Sequence, residues 1–282
     1  MDRSPLDTLT RPDRVAFVLQ GGGGLAAPQV GMLRALLEAG VLPDLVIGSS
    51  AGALNALAFA ADPTLAGVQR LEGVWRQLRR RHVAAVDVRT VVRALARRRD
   101  GFLSAAPLAA LLAGVVPARL EEAAIPAHVV ATDLDSGDAV ILSAGASVPA
   151  LLASAAFPGI YAPVEIGGRR LIDGGVTADV PVRPAEHLGA STCYVLPAAR
   201  SADTDVPMRG PLAMAYRALG QILESAVQRD LAAARATVHV FPAARSSASN
   251  PLDFRGTSRL IADGYAAAAA WLAARAPLAV AT

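Results

Sequence analysis

The chain of 282 residues carries a net charge of +3, with 53% hydrophobic and 18% charged residues, which suits a sizeable apolar core and excludes a disordered polyelectrolyte. All 27 basic residues are arginine, so a lysine-bearing phosphate loop and lysine Schiff-base chemistry are excluded. The one cysteine, Cys193, excludes an internal disulfide and fits a reducing, cytoplasmic compartment, and the four histidines lack metal-ligand spacing.

Residues 1–13 read as a polar extension without an apolar core, so no secretory signal is expected. Residues 14–282 read as one domain, with its motifs at about 14–197 and helical and strand patterns in 198–282. "RVAFVL" (14–19) is a predicted strand, and "LAAPQVGMLRALLEAG" a helix closed by Gly40. "PDLVIG" is a second strand and "SAGALNALAFA" a second helix. This β-α-β-α opening predicts a mostly parallel sheet flanked by helices.

From Asp62 to about Arg99 the pattern is helical and rich in arginine, with runs at Arg79–Arg81 and Arg97–Arg99. Two readings stay open: a solvated helical face, or a surface that meets anionic lipid headgroups. Without aromatic interleaving or a reading motif, no nucleic-acid partner is expected. "AHVVATDL" and "AVILSA" read as paired strands around the "DSGD" turn. "SVPALLASAAFPGIYAPV" reads as a short helix stopped by Pro158–Gly159 and then an extended segment. The uncharged run Ala139–Val164 is broken by prolines, so it is a buried segment and not a membrane span. "RRLIDGG" is a strand ending in Asp173. "STCYVL", with a buried structural thiol, and "TVHVF" follow. Helical patterns cover about 211–235 and 257–274, and "LPAARSADTDVPMRGP" reads as a long surface loop.

Two stretches carry chemistry. "QGGGGLAAPQVG" places Gly21, Gly22, Gly23 and Gly24 between a strand and a helix N-terminus, where backbone N–H groups suit an anion. As a dinucleotide fingerprint it lacks an acidic residue at the end of the second strand, because Asp44 lies at the other end. As an oxyanion hole it needs the first two strands to be neighbours, so that both loops share one sheet edge. A glycine turn without a ligand is the third reading.

The other stretch is "VIGSSAG". Gly48-x-Ser50-x-Gly52 is the frame of a strained strand-to-helix turn that presents a nucleophile. Ser49 lacks the glycine flanks and reads as a cap or packing hydroxyl. A Ser-acid-His order leaves His239 as the late histidine, but it lies inside a strand pattern, and in that fold several strands precede the elbow. His82, His128 and His187 read as packing or surface residues. Without Ser50, Asp173 reads as a turn aspartate before Gly174 and Gly175, and Asp133, Asp135 and Asp179 are rival carboxylates that read as turn and structural residues.

These blocks, with "ATDLDSGDAVILSAG" and "ASAAFPGIYAPVEIGGRRLIDGGVTADVPV", stand in an order that resembles the patatin-like phospholipases over about residues 14–197. The resemblance implies a patatin-like three-layer α/β fold and a serine acyl hydrolase of lipid acyl esters, with no metal or organic cofactor. It implies Ser50 as nucleophile, Asp173 as base without a histidine, and Gly21 to Gly24 as the oxyanion region. Leu25 stands where the family commonly has a basic residue, and Ala26 where glycine is frequent. The hole would then rest on backbone donors. The expected partner is a lipid or acyl-ester substrate, with peripheral contact to an anionic membrane as the further expectation.

Overall fold

The computed structural model describes residues 13–83, 101–201, 211–246 and 252–275. The chain opens with β1 (Val15–Leu19), a 3-10 turn (Gly23–Ala26), α1 (Pro28–Glu38), β2 (Leu45–Ser49) and α2 (Ala51–Ala61). Then come α3 (Leu65–Gln77), α4 (Arg80–Val83), α5 (Ala106–Ala113), β3 (Ala127–Asp133), β4 (Ala139–Leu142) and α6 (Ser147–Ser154). After these come β5 (Val164–Ile166), β6 (Arg169–Asp173), α7 (Gly175–Ala178), α8 (Val182–His187), β7 (Thr192–Leu196) and β8 (Arg200–Ser201). The chain closes with α9 (Pro211–Ala232), β9 (Thr237–Val240), β10 (Arg245–Ser246) and α10 (Thr257–Ala273).

The main sheet runs β5-β6-β3-β2-β1-β7-β9, with β4 also paired to β3. Strands β3, β2, β1, β7 and β9 are mutually parallel, whereas β4 and β6 are antiparallel to β3 and β5 is antiparallel to β6. The central strands β1, β2 and β3 are apolar runs covered on both faces, as parallel strands between helix layers must be. One face packs Phe17, Leu19 and Val46 against α1, α2, α3 and α10. The other packs Ala16, Val18, Ile47 and Cys193 against residues of α7, α8 and α9, and burial pushes the Cys193 thiol up to about 12. The fold class is therefore the one read from the sequence, a mostly parallel sheet between two helical layers.

Some boundaries differ from the expected ones. The helix of "SVPALLASAAFPG" ends at Ser154, four residues before Pro158, because Asp173 N–H and Gly174 N–H take the carbonyls of Ala156 and Ser154. The arginine-rich helix is broken at Leu78 into α3 and α4, and the rest of it, with Arg97–Arg99, lies outside the described residues. In the loop expected after β7, Arg200–Ser201 forms a short parallel strand with Arg245–Ser246, and residues 202–210 lie outside the described ones. Among the described residues no helix is long and apolar enough to cross a membrane.

Helices α1 and α10 meet at backbone distance. A Cβ on Gly31 would fall 2.5 Å from the Tyr265 nitrogen, and one on Gly264 2.4 Å from the Pro28 carbonyl oxygen. Gly31→Val must therefore push α10 off the core. It is expected to cost about 1–3 kcal/mol, or several degrees of thermal midpoint. Gly73→Ala on α3, whose added carbon meets nothing within 4 Å, serves as control and should melt at or slightly above the parent. Equal melting of the Gly31 and Gly73 variants by calorimetry would refute the close contact.

Candidate active site

Ser50 sits at the turn from β2 into α2 with φ 52° and ψ −124°, and it alone among the described non-glycine residues has positive φ. Such a backbone costs on the order of 1–3 kcal/mol unless its surroundings hold it. They do so by crowding. A Cβ on Gly48 would lie 2.4 Å from the Gly52 carbonyl oxygen, and one on Gly52 2.4 Å from that of Leu19. The helix thus starts directly over the ends of β1 and β2. The Ser50 N–H donates to Ser154 Oγ at 2.8 Å, and Ser154 Oγ donates to the Val130 carbonyl at 2.5 Å. Ser49 is fully buried with its hydroxyl unpartnered, so it is a packing residue and caps nothing.

Asp173 ends β6 opposite Ala131 of β3, while Ser49 of β2 lies opposite Val130 of the same strand. Because β6 runs antiparallel, its last residue returns to the level of the elbow. Ser50 Oγ donates to Asp173 Oδ2 at 2.8 Å, and Gly175 N–H donates to Asp173 Oδ1 at 2.8 Å. The Thr132 hydroxyl donates to the Asp173 carbonyl at 2.9 Å. Gly174 admits this turn because a Cβ there would lie 2.2 Å from the Val130 carbonyl oxygen. Burial pushes the Asp173 carboxyl up to about 7, against the opposing bonds from Gly175 and Ser50, and Asp179 adds to the rise.

The glycine loop lies beside this pair. Strands β1 and β2 are neighbours, so the loops after them share one edge. A Cβ on Gly21 would lie 3.4 Å from Ser50 Cβ and 2.5 Å from Asp179 Oδ1. Gly21 N–H is already engaged by the Asp179 carbonyl at 3.1 Å. Gly21 therefore makes room at the site and donates no free N–H, which corrects its expected place among the oxyanion donors. No partner among the described residues takes the N–H groups of Gly22, Gly23 and Gly24. Gly22 and Gly23 have φ of 144° and 57°, and a Cβ on Gly22 would meet Ala198 Cβ at 2.8 Å. Leu25 is half-buried against the core, and its carbonyl accepts from Ala199 N–H.

Buried amides hold the loop from behind. Gln29 Nε2 donates to the Gln20 and Leu196 carbonyls at 2.7 and 3.0 Å. Asn55 Nδ2 donates to Gln29 Oε1, and Trp75 Nε1 donates to Asn55 Oδ1. Gln20 Nε2 donates to Asp179 Oδ2 at 2.8 Å, and its Oε1 accepts from Ala198 N–H. Sequence reasoning missed Ser154, Gln20, Gln29 and Asn55. Their signal was polarity at apolar-face positions, which periodicity alone passes over.

The other candidates lie elsewhere. His239 packs between Tyr194 and Trp271, three strands from β2. His128 Nδ1 meets Ser143 Oγ, and burial lowers its ring to about 4. His187 Nδ1 meets the Arg183 carbonyl, and His82 accepts from Arg79 N–H. Asp133 caps its own turn, Asp135 pairs with Arg170, and Asp44 accepts from Val15 N–H. Among the described residues no group of three metal-ligating side chains is present.

A family model described as patatin-like phospholipase matches residues 17–186. An uncharacterized NTE family protein of Mycobacterium tuberculosis is 32% identical over 182 residues, covering 63% of this chain and 47% of that protein. Patatin-like phospholipase domain-containing protein 7 of Rattus norvegicus is 25% identical over 215 residues, covering 74% of this chain and 15% of that protein. The chain thus spans less than half the length of these curated relatives. The crystal structure of VipD from Legionella pneumophila aligns at TM-score 0.45 and 14% identity, over 93% of this chain and 67% of that one.

The raised Asp173 pKa has a consequence for stability. Its folded value of about 7 lies above the ordinary 3.8, so the folded state holds the proton more tightly than the unfolded one. The stability that this supplies is complete below the ordinary value and is lost as pH rises through about 7. Asp173→Asn removes that dependence. The variant's advantage in thermal midpoint over the parent is expected to grow from about pH 4 to about pH 8, reaching a few degrees. Parallel midpoints across that range would show that Asp173 is not buried as described.

Proposed function

The chain belongs to the patatin-like phospholipase family, and from that premise we infer that it is a serine acyl hydrolase of lipid acyl esters. The observation that carries the reading is the 2.8 Å hydrogen bond from Ser50 Oγ to Asp173 Oδ2. Ser50 Oγ attacks the ester carbonyl carbon as its proton passes to Asp173, within the 2.6–3.2 Å or so that general-base transfer needs. The tetrahedral oxyanion is held by the N–H groups of Gly22, Gly23 and Gly24, joined by that of Ala51 at the start of α2, which also has no carbonyl partner among the described residues. The C–O bond then breaks, and the leaving alcohol takes the proton back from Asp173. Water attacks the acyl-serine with Asp173 again as base, releasing the carboxylic acid and restoring Ser50.

An aspartate is a poor base for an alcohol at its ordinary pKa, so this mechanism needs two aids. Burial raises Asp173 to about 7, and the backbone donors lower the cost of the charge that appears as the proton moves. A nucleotide-binding reading has less support, because Ser49 stands where a ribose-binding acid would sit and Asp44 is tied to Val15 N–H. A lipid-binding module without turnover is the remaining alternative, favoured by the uncharged Leu25.

A fluorophosphonate probe distinguishes them. It should label Ser50, leave Ser50→Ala unlabelled and still label Ser49→Ala. Asp173→Asn should fold and lose on the order of a thousandfold or more in soluble-ester turnover. In the parent, kcat/KM should fall below about pH 7, because the base must be ionised. Label at Ser49, or a folded His239→Gln variant as inactive as Ser50→Ala, would defeat the dyad.

On the same reading we propose that an anionic membrane meets the flank of the site. Arg79, Arg80 and Arg81 are exposed on and beside α4, and Phe102 is exposed nearby in sequence to Gly101. The Tyr161 hydroxyl donates to the Val83 carbonyl, and Gly101 bridges to Gly159, so both segments adjoin the turn that follows Ser154. Replacing Arg79, Arg80 and Arg81 with glutamine should weaken binding to phosphatidylglycerol vesicles and spare soluble-ester turnover. Parent binding should fall with salt, as charges screened over about 8–10 Å require. Equal vesicle binding before and after replacement returns the run to a solvated face.

A further inference from the structure

Resting on the Ser50–Asp173 reading, we propose that Asp179 is a second carboxylate of the site, a positioning residue that clamps the glycine loop to the Asp173 turn and whose charge strengthens Asp173 as a base. Three contacts carry the clamp. The Asp179 carbonyl accepts from Gly21 N–H, Asp179 Oδ2 accepts from Gln20 Nε2 at 2.8 Å, and Gln20 Oε1 accepts from Ala198 N–H at 3.0 Å. One residue just past α7 thus holds the loop after β1 and, through Gln20, the segment after β7.

The remaining oxygen faces the chemistry. Asp179 Oδ1 and Asp173 Oδ1 each lie 3.0 Å from the position a Cβ would take on Gly175, so the two oxygens are at most twice that distance apart. Asp179 Oδ1 also lies 2.5 Å from the corresponding position on Gly21, whose own neighbour is Ser50 Cβ. Two glycines therefore make the space in which both carboxylates approach the nucleophile. Burial raises the Asp179 carboxyl as well, and where it is ionised its like charge disfavours ionisation of Asp173 and makes that group's ionised form a better proton acceptor.

The surrounding charges leave that effect in place. The groups bonded to the Asp173 carboxylate are the Ser50 hydroxyl after β2 and the Gly175 N–H of α7, and the Thr132 hydroxyl of β3 bonds its backbone carbonyl, all neutral. Asp133 of β3 turns to its own loop and lies 3.9 Å from Arg169. Glu165 of β5 lies opposite Arg170 in the strand register. Glu224 of α9 acts on Asp179 and is itself paired to Arg200 at 3.4 Å. No arginine or histidine pairs with either Asp173 or Asp179 among the described ion pairs. The two carboxylates then titrate as a coupled pair, and the acid limb of the rate profile belongs to the pair.

The test is the pH profile of kcat/KM for a soluble ester in Asp179→Asn and Asp179→Ala, with fluorophosphonate labelling of Ser50 alongside. Both variants remove the charge, so in both the acid limb should move down by about half a unit to one unit. The ratio of variant to parent activity at about pH 5.5 should then exceed the ratio on the alkaline plateau about threefold to tenfold. Asparagine keeps an acceptor for Gln20 and should retain plateau kcat within about tenfold, while alanine frees the loop and should lose more in kcat than in KM. An unmoved acid limb in whichever variant folds, with Ser50 still labelled, overturns the proposal. A parent that fails to label at Ser50 overturns the dyad reading instead.

Discussion

The hydrogen bond between Ser50 and Asp173 joins residues 123 positions apart, and the rest of the site is arranged around it. It can form only because β3 lies between the strands that carry them. Parallel pairing sets Ser49 opposite Val130, and antiparallel pairing sets Asp173 opposite Ala131. A one-residue slip of either register would turn the carboxylate to the other face of the sheet. The reversal of β6 in a mostly parallel sheet is therefore what brings a strand end to the elbow.

The price of this bond is a carboxylate kept out of water, and the fold meets it with hydrogen bonds rather than a countercharge. Gly175 N–H and the Ser50 hydroxyl satisfy the two oxygens, which is enough for burial but too little to hold the pKa at its ordinary value. The same economy marks the strained elbow. Ser50 keeps a positive φ because Gly48 and Gly52 let α2 press against β1 and β2, and because Ser154 takes its N–H. A strained backbone and a carboxylate raised by burial thus meet at one point.

Behind that point stands a polar chain unusual for so apolar a core. Trp75, Asn55, Gln29 and Gln20 link α3, α2, α1 and the end of β1, so the glycine loop is held by amides that bond to one another and to the backbone around the loop. A half-satisfied network of this kind would cost more than an apolar filling. Its continuity makes the loop a fixed part of the layered core rather than a surface turn.

Most of the local structure was legible in the sequence. The runs at 15–19, 45–49 and 127–133 became the central strands because their mostly apolar, β-branched residues suit burial on both faces. The glycine spacing around Ser50 marked the elbow, since only glycine tolerates backbone packed that closely. Long-range pairing was not legible. Nothing local states that β6 runs backwards, that Ser154 meets the Ser50 N–H, or that Gly21 is engaged by Asp179, since each depends on segments that are distant from one another in the chain. Asp173 and Asp179 look alike in sequence, both polar residues near turns. The family resemblance favoured Asp173, and strand register separates them physically, placing Asp173 Oδ2 on the serine and Asp179 Oδ2 on Gln20. The sequence by itself determined which residue types and turns were available. The tertiary structure decided which of them meet, because a contact between distant segments is a property of strand order and not of any local pattern.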